Sequence, residues 1–433
     1  MLLYRRFLRA LGVAAVAGLA LGLACSGHKS GSSSSSQFTL SGNVTYTRIP
    51  LAKDANGVPT GLVDSTVASN LQTLPARGVQ VRAYVRNDQT LADGTTTSVW
   101  QVIQTTYTDT SGNYQMTLAM DKPVMVELLS SFSGGDGHLI NLIADPAGIG
   151  SSVPAGDRLR YALRKGVDGS APAGNPTPSA LPTGPATVNF TVGLADKWWL
   201  VNPNYNIQTL VASQATQAID ETTLPGRTLG TGSRVLAIGD SIATFVATYG
   251  RATPGQTLDL HYAPGLSDPR GSFIEYNPSV YPLDNALDPG TFIFTQHYFG
   301  SLQGGVNDDA WDESVIFRLL ARSFLYSGNL GRTFGIPTNP IYPQAAALTD
   351  LSPELALTEG LADGMAANLL RSPYLADTQG TSLAAPVMDV RDISTLTTSQ
   401  LSPDSAPAIR ALTWALILKA NSLTAPGTPS DWG

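Results

Sequence analysis

Two stretches near the start of the folded part of the chain alternate apolar and polar residues with a period of two. Phe38, Leu40, Val44 and Tyr46 alternate with Thr39, Ser41, Asn43 and Thr45, and Val79, Val81, Ala83 and Val85 alternate with Gln80, Arg82, Tyr84 and Arg86. A strand turns successive side chains to opposite faces, so each run predicts a strand with one buried face. Trp100 to Tyr107, Tyr114 to Leu118 and Val124 to Leu129 continue the set, with turn chemistry at Asp109-Thr110-Ser111-Gly112-Asn113. Short strands separated by turns predict an antiparallel β-sandwich. Further on the period changes. Gln208 to Ala218, Arg234 to Tyr249, Trp311 to Tyr326, Pro353 to Leu370 and Ala406 to Asn421 read as helices, and Thr257 to Phe299 alternates in short pieces. In the last helix Ile409, Leu412, Leu416 and Ala420 share a face, with Asp404 or Ser405 to cap it and Pro407 in its first turn. The fold class expected is α+β and multidomain, an N-terminal antiparallel sandwich followed by an α+β domain.

Composition narrows the function classes. The chain has 433 residues, 42% of them hydrophobic, which excludes wholesale disorder and suits more than one core. The formal net charge is -7 and no Lys/Arg-rich run follows the first few residues, so no nucleic-acid partner is expected. With a single cysteine, neither an intrachain disulfide framework nor a multi-thiolate zinc site is possible.

That cysteine has a telling position. Arg5, Arg6 and Arg9 precede an apolar run from Leu11 to Leu23, which ends at Ala24-Cys25. The run is too short to span a membrane and has the anatomy of a signal peptide. It resembles a bacterial lipoprotein signal, departing from it at Gly22, where such signals usually carry Leu. The resemblance implies a signal peptide over 1–24, lipid on Cys25 and a membrane partner through that lipid. A Ser-rich tether over 25–36 follows, with the unbroken run Ser32 to Ser36. Ser26 stands where Asp retains many lipoproteins at an inner membrane, so the expected location is the bacterial cell envelope, at the outer membrane, periplasmic or surface-exposed. No later stretch is long and apolar enough for a transmembrane helix.

Within 37–165, Ser41-Gly42-Asn43-Val44, Gly78-Val79-Gln80-Val81 and Thr108-Asp109-Thr110-Ser111-Gly112-Asn113-Tyr114 resemble carboxypeptidase regulatory-like modules, transthyretin-like and CnaB-like. The resemblance implies a spacer or adhesive module without chemistry of its own. A Pro/Gly-rich linker and a last strand, Thr187 to Val192, occupy 166–197, and the α+β domain runs over 198–433.

Three constellations bear on chemistry. Val235-Leu236-Ala237-Ile238-Gly239-Asp240-Ser241 and Gly305-Val306-Asn307-Asp308 resemble the nucleophile and oxyanion blocks of SGNH hydrolases. That family takes its base from a histidine near the C-terminus, and no histidine follows His297 here.

The second constellation pairs Asp309-Ala310-Trp311-Asp312-Glu313-Ser314-Val315-Ile316 with Ser352-Pro353-Glu354-Leu355-Ala356-Leu357-Thr358-Glu359-Gly360-Leu361-Ala362-Asp363. The two segments resemble the active-site helices of gluzincin-type zinc metallopeptidases, which makes the second domain zincin-like. The family's His-Glu-x-x-His falls on Arg318, Leu319 and Arg322. Its third-ligand position falls on Glu359, with Asp363 a turn later. Arginine offers zinc no lone pair and leucine cannot activate water, so the resemblance implies a site without its metal or its catalytic base. A rebuilt site drawing on His261 or His297 with Glu359 is the alternative. Arg318 and Arg322 share one helical face, as do Glu359 and Asp363. The two faces either meet as guanidinium–carboxylate pairs or leave the arginines on a solvated surface.

The third constellation is the acidic run Asp308, Asp309, Asp312 and Glu313 with Asn307. It suits a calcium ion or simply the start of a helix. The expectation drawn is a lipid-anchored pseudo-metallopeptidase that binds a protein, peptide or glycan, with no catalytic residue, metal or cofactor. Trp198, Trp199, Phe294, Tyr298 and Phe299 are aromatics that either line a binding surface or fill the core. An active hydrolase, SGNH-like through Ser241 or with a rebuilt metal site, and a structural surface spacer are the alternatives.

Overall fold

A computed structural model of the chain describes residues 37–90, 94, 96–119, 122–135, 137–144, 159–167, 184–201, 219–220, 232–251, 257–263, 271–276, 298–304, 308–327, 352–394, 396–398 and 401–424. The expected signal peptide, Cys25 and the tether lie outside the described residues. So do the helix expected at 208–218, most of the Pro/Gly-rich linker, Phe294, His297 and Asn307.

The alternating runs form strands. β1 (Gln37–Arg48) buries Phe38, Leu40, Val44 and Tyr46 on one face. β2 (Leu51–Lys53) and β3 (Pro59–Leu62) pair with each other. Then come β4 (Gln72–Pro75), β5 (Val79–Thr90), β6 (Thr96–Tyr107), β7 (Asn113–Ala119), β8 (Val124–Gly135), β9 (His138–Ile143) and β10 (Arg160–Gly166). β11 (Ala186–Thr187), β12 (Phe190–Val192), β13 (Trp199–Val201), β14 (Ile219–Asp220), β15 (Thr257–Tyr262), β16 (Phe273–Tyr276) and β17 (Tyr298–Leu302) complete the two main sheets.

The first sheet is built around β1. Its first half pairs antiparallel with β7 and its second half with β4, while β11 and β12 run parallel to it along its other edge. The last strand expected at Thr187 to Val192 therefore does belong to this sheet. The turn into β7 forms as its residues dictate, with Asp109 Oδ1 accepting the amides of Ser111 at 2.8 Å and Asn113 at 2.9 Å.

The second sheet has ten strands and divides at β8. One edge of β8 pairs with β5, which carries β6. Its other edge pairs with β10 over its first part and with β9 over its second. From β10 the sheet runs to β13 and β14, and from β9 it runs through β15 and β17 to β16. The pairings β9–β15 and β15–β17 are parallel. Strands from before and after the expected 166–197 linker thus share one sheet rather than meeting across a linker. The reason is local: the edge of β9 away from β8 has backbone groups to satisfy, and β15 satisfies them. Ser36–Gly433 forms one compact unit, and the architecture is mixed α+β.

Four helices of the described residues complete the fold: α1 (Arg234–Tyr249), α2 (Glu313–Ser327), α3 (Pro353–Leu370) and α4 (Ala406–Thr424). α1 lies on β8 at Gly239, where a Cβ would stand 2.0 Å from the Phe132 ring. Ser352 caps α3, its hydroxyl accepting the Leu355 amide at 3.3 Å, with Pro353 opening the helix. One apolar core runs through Phe132, Val235, Leu258, Trp311, Met365 and Trp414. Each fully buried aliphatic or aromatic side chain in it contributes roughly 1.5–3 kcal/mol.

Of the residues that share a face on α4, Ile409 packs but the two leucines do not. Leu412 and Leu416 are 59% and 58% exposed, whereas Ala406, Arg410 and Trp414 are buried. Two contacts turn the helix this way. Gly360 and Gly364 of α3 admit Ile409 and Thr413, and Arg410 points to Asp363 of α3, with Nη1 3.9 Å from Oδ2.

Candidate functional site

α2 and α3 pack side by side, and polar side chains from both meet in the core between them. Hydrophobic neighbours bring them there: Ile316, Phe317, Leu319 and Leu320 of α2 are buried, as are Ala362, Met365 and Ala366 of α3. The helical period then sets Arg318 and Arg322 one above the other on α2, and Glu359 and Asp363 likewise on α3.

The two faces meet as ion pairs. Arg322 Nε donates to Glu359 Oε1 at 3.0 Å and its Nη2 donates to Oε2 at 2.5 Å, a two-pronged arrangement that matches guanidinium to carboxylate. Arg318 Nε donates to Asp363 Oδ1 at 2.6 Å. Glu359 and Asp363 are wholly buried, Arg322 is 1% exposed and Arg318 is 7% exposed. Of the two arrangements the sequence leaves open, the structure takes the paired one, and the solvated one is excluded. Burial raises the Glu359 carboxyl above its ordinary value, and Arg322 works in the opposite direction. Leu319 is apolar core at 2% exposure.

The glycines of the same segment have a separate task. On α3, a Cβ at Gly360 would lie 2.6 Å from the Ile409 side chain, and one at Gly364 would lie 2.4 Å from that of Thr413. Carboxylates thus face α2 while glycines let α4 approach closely.

The resemblance to an SGNH nucleophile block dissolves into packing. Ser241 lies inside α1, wholly buried, and its hydroxyl donates to the Ala237 carbonyl at 3.2 Å. Asp240 pairs with Arg77, Nε to Oδ1 at 2.5 Å, and so fixes α1 to the segment before β5. Gly239 is the residue that meets Phe132. Asp308, from the second SGNH-like block, takes Arg234 and the Tyr262 hydroxyl. Each group of both blocks that lies among the described residues has a packing role.

His261 is wholly buried on β15, and His138 begins β9. Trp198 is 2% exposed, and its indole nitrogen donates to the Gly232 carbonyl at 2.7 Å, which makes it core rather than binding surface. Trp199 is half-buried on β13, and Tyr298 and Phe299 lie on β17.

Part of the acidic run converges with a residue that sequence reasoning missed. Asp309 and Asp312 flank the turn into α2, and Asp377 joins them from the segment that follows α3. Among the described residues, this is the one group of three or more His, Cys, Asp or Glu side chains close enough to share an ion. No spacing links position 377 to 309, so only the fold reveals it. No protein-family model, curated protein or solved structure matches the chain.

Proposed function

We propose that this protein is a lipid-anchored envelope protein whose helical part is a pseudo-metallopeptidase. Its zinc centre has been exchanged for buried arginine–carboxylate pairs, and it works by binding rather than by hydrolysis. The observation that carries the reading is the fork between Arg322 and Glu359, which falls where the resemblance puts a zinc-binding histidine and the third ligand. Its partner pair, Arg318 with Asp363, falls at the other histidine and the acid one turn beyond the third ligand. A guanidinium fills the place of a cation with a cation that is part of the chain. The carboxylates stay compensated with no metal to load, and Leu319 leaves no base to activate water.

Glu359 is held by both prongs of one arginine, which takes that carboxylate out of acid–base work. The reading assigns the work to binding a protein, peptide or glycan, with lipid on Cys25 as the anchor and the 25–36 tether as the spacer. No helix of the described residues is long and apolar enough to cross a membrane.

Zinc content and peptide hydrolysis of the purified full-length protein test the reading together. The expectation is no stoichiometric zinc and no chelator-sensitive cleavage of a peptide library. One tightly held zinc per chain, or cleavage abolished by chelator and by Glu359→Gln, would overturn it.

A further inference from the structure

The structure assigns a calcium site to Asp309, Asp312 and Asp377. Three carboxylates meet there, and one ligand oxygen from each lies within 4.8 Å of the others. Calcium takes carboxylate oxygens at about 2.3–2.6 Å in a flexible geometry, which a group of three carboxylates can supply. Magnesium is usually held by one or two carboxylates beside waters or substrate phosphates, so three converging carboxylates suit calcium better.

The group is held rigidly by two segments of chain. Asp309 and Asp312 belong to the turn that leads into α2, and Asp377 belongs to the strand-like segment that returns after α3. The segments are fastened on both sides of the cluster. The Ser314 hydroxyl donates to the Ala376 carbonyl and accepts the Ala376 amide, and Thr378 donates its amide and its hydroxyl to Asp312 at 2.7 and 2.8 Å. Such fastening fixes the carboxylates in place instead of letting repulsion spread them.

A second observation points to a ligand. Asp309 is 1% exposed, its Oδ2 accepts the Ser272 hydroxyl, and its Oδ1 has no hydrogen-bond partner. A buried carboxylate oxygen without a donor is costly, and a cation or a proton would relieve it. Burial, then Asp377 and Asp312, push the Asp309 carboxyl well above the usual range, and burial with Asp377 nearby pushes Asp312 up to about 8. The Ser272 hydroxyl on Asp309, and the amide and hydroxyl of Thr378 on Asp312, work in the opposite direction.

There is also a route in. Asp312, Ser314 and Ala376, together with Arg48 and Lys53, line a cavity of about 270 Å³ between β1, β4 and the start of α2, and Asp312 is the member of the cluster that reaches it. Water entering there completes a calcium coordination shell of six to eight oxygens, as this ion requires. The site stands apart from the Arg322–Glu359 fork and holds whether or not the helical part descends from a zinc peptidase.

Titration of chelator-stripped full-length protein with calcium chloride, read by calorimetry and by melting temperature, tests the site. One calcium per chain is expected, bound in the roughly millimolar or tighter range of extracellular calcium modules, with a rise in melting temperature. Asp309→Asn and Asp377→Asn are each expected to weaken binding by about tenfold or more, as loss of one charged ligand does. Asp309→Asn should also raise the melting temperature of the calcium-free protein, because a buried oxygen without a donor loses its charge. Asp377 is only half-buried, so its variant keeps the test usable if Asp309→Asn does not fold. No calcium bound at several millimolar, or unchanged calcium affinity in Asp377→Asn, would overturn the assignment.

Discussion

Arg322 grips Glu359 with two nitrogens, at 3.0 and 2.5 Å, in a place where the carboxylate has no exposed surface. Neither group meets water, and the fork ties the two charges together. Removing two charges from water is expensive, and the pair offsets that cost only while its geometry is intact.

Single substitutions within the fork should therefore cost more than removing it whole. Glu359→Leu leaves a buried guanidinium and Arg322→Met leaves a buried carboxylate, each expected to lose about 3–5 kcal/mol of stability. The double variant should recover most of that loss. Denaturant unfolding of all four proteins checks it, and additive losses would show that the two side chains act separately.

The block around Ser241 gives an opposed pair of outcomes. Ser241→Ala removes a hydroxyl that only back-bonds within α1, and should change stability by no more than about 1 kcal/mol. Gly239→Ala drives a methyl group into the Phe132 ring, and should cost about 1–3 kcal/mol or more. Thermal melts of the two variants decide the matter. A larger effect at Ser241 than at Gly239 would contradict the packing described for α1.

Much of the fold was legible because the residue pattern and the local structure agree. The alternation at Phe38 to Tyr46 and Val79 to Val85 gave β1 and β5, and Ser405 with Pro407 marked the start of α4. The spacing of Arg318 with Arg322 and of Glu359 with Asp363 also showed that each pair shares a face. What periodicity could not show was partnership at long range. Nothing in β9 indicates that its free edge takes β15, more than a hundred residues later. On α4 the leucines at 412 and 416 share a face with Ile409 but stay exposed. The helix is oriented by Gly360, Gly364 and Asp363 on its neighbour, which no reading of α4 alone contains. Asp377 escaped notice for the same reason.

The turn at Asp109 should show a pH-dependent contribution. Its carboxyl accepts two backbone amides and is held below its ordinary value of 3.8 by the amides of Asn113 and Ser111. A depressed folded value means stability that is present above 3.8 and lost as the pH falls through the folded value. Asp109→Ala should accordingly destabilise the protein at neutral pH, and the difference from the parent should shrink in strong acid. Urea unfolding at neutral and acid pH checks this, and a penalty independent of pH would count against it.

Close approach of α3 and α4 should depend on the two glycines. Gly364→Ala places a methyl group 2.4 Å from the Thr413 side chain, and should lower stability by about 1–3 kcal/mol. Combining it with Thr413→Ala, which clears the space, should recover part of the loss. Chemical denaturation of the single and double variants measures it, and an unaffected Gly364→Ala would mean that the helices have room to spare.

The most direct test of the account is the zinc stoichiometry of a variant that carries Arg318→His, Leu319→Glu and Arg322→His together, measured beside the parent protein. If α2 and α3 keep the geometry of a zinc peptidase around Glu359, the triple variant should hold about one zinc per chain and the parent none. A folded triple variant that binds no zinc would contradict the claim that these ion pairs stand where a metal once did.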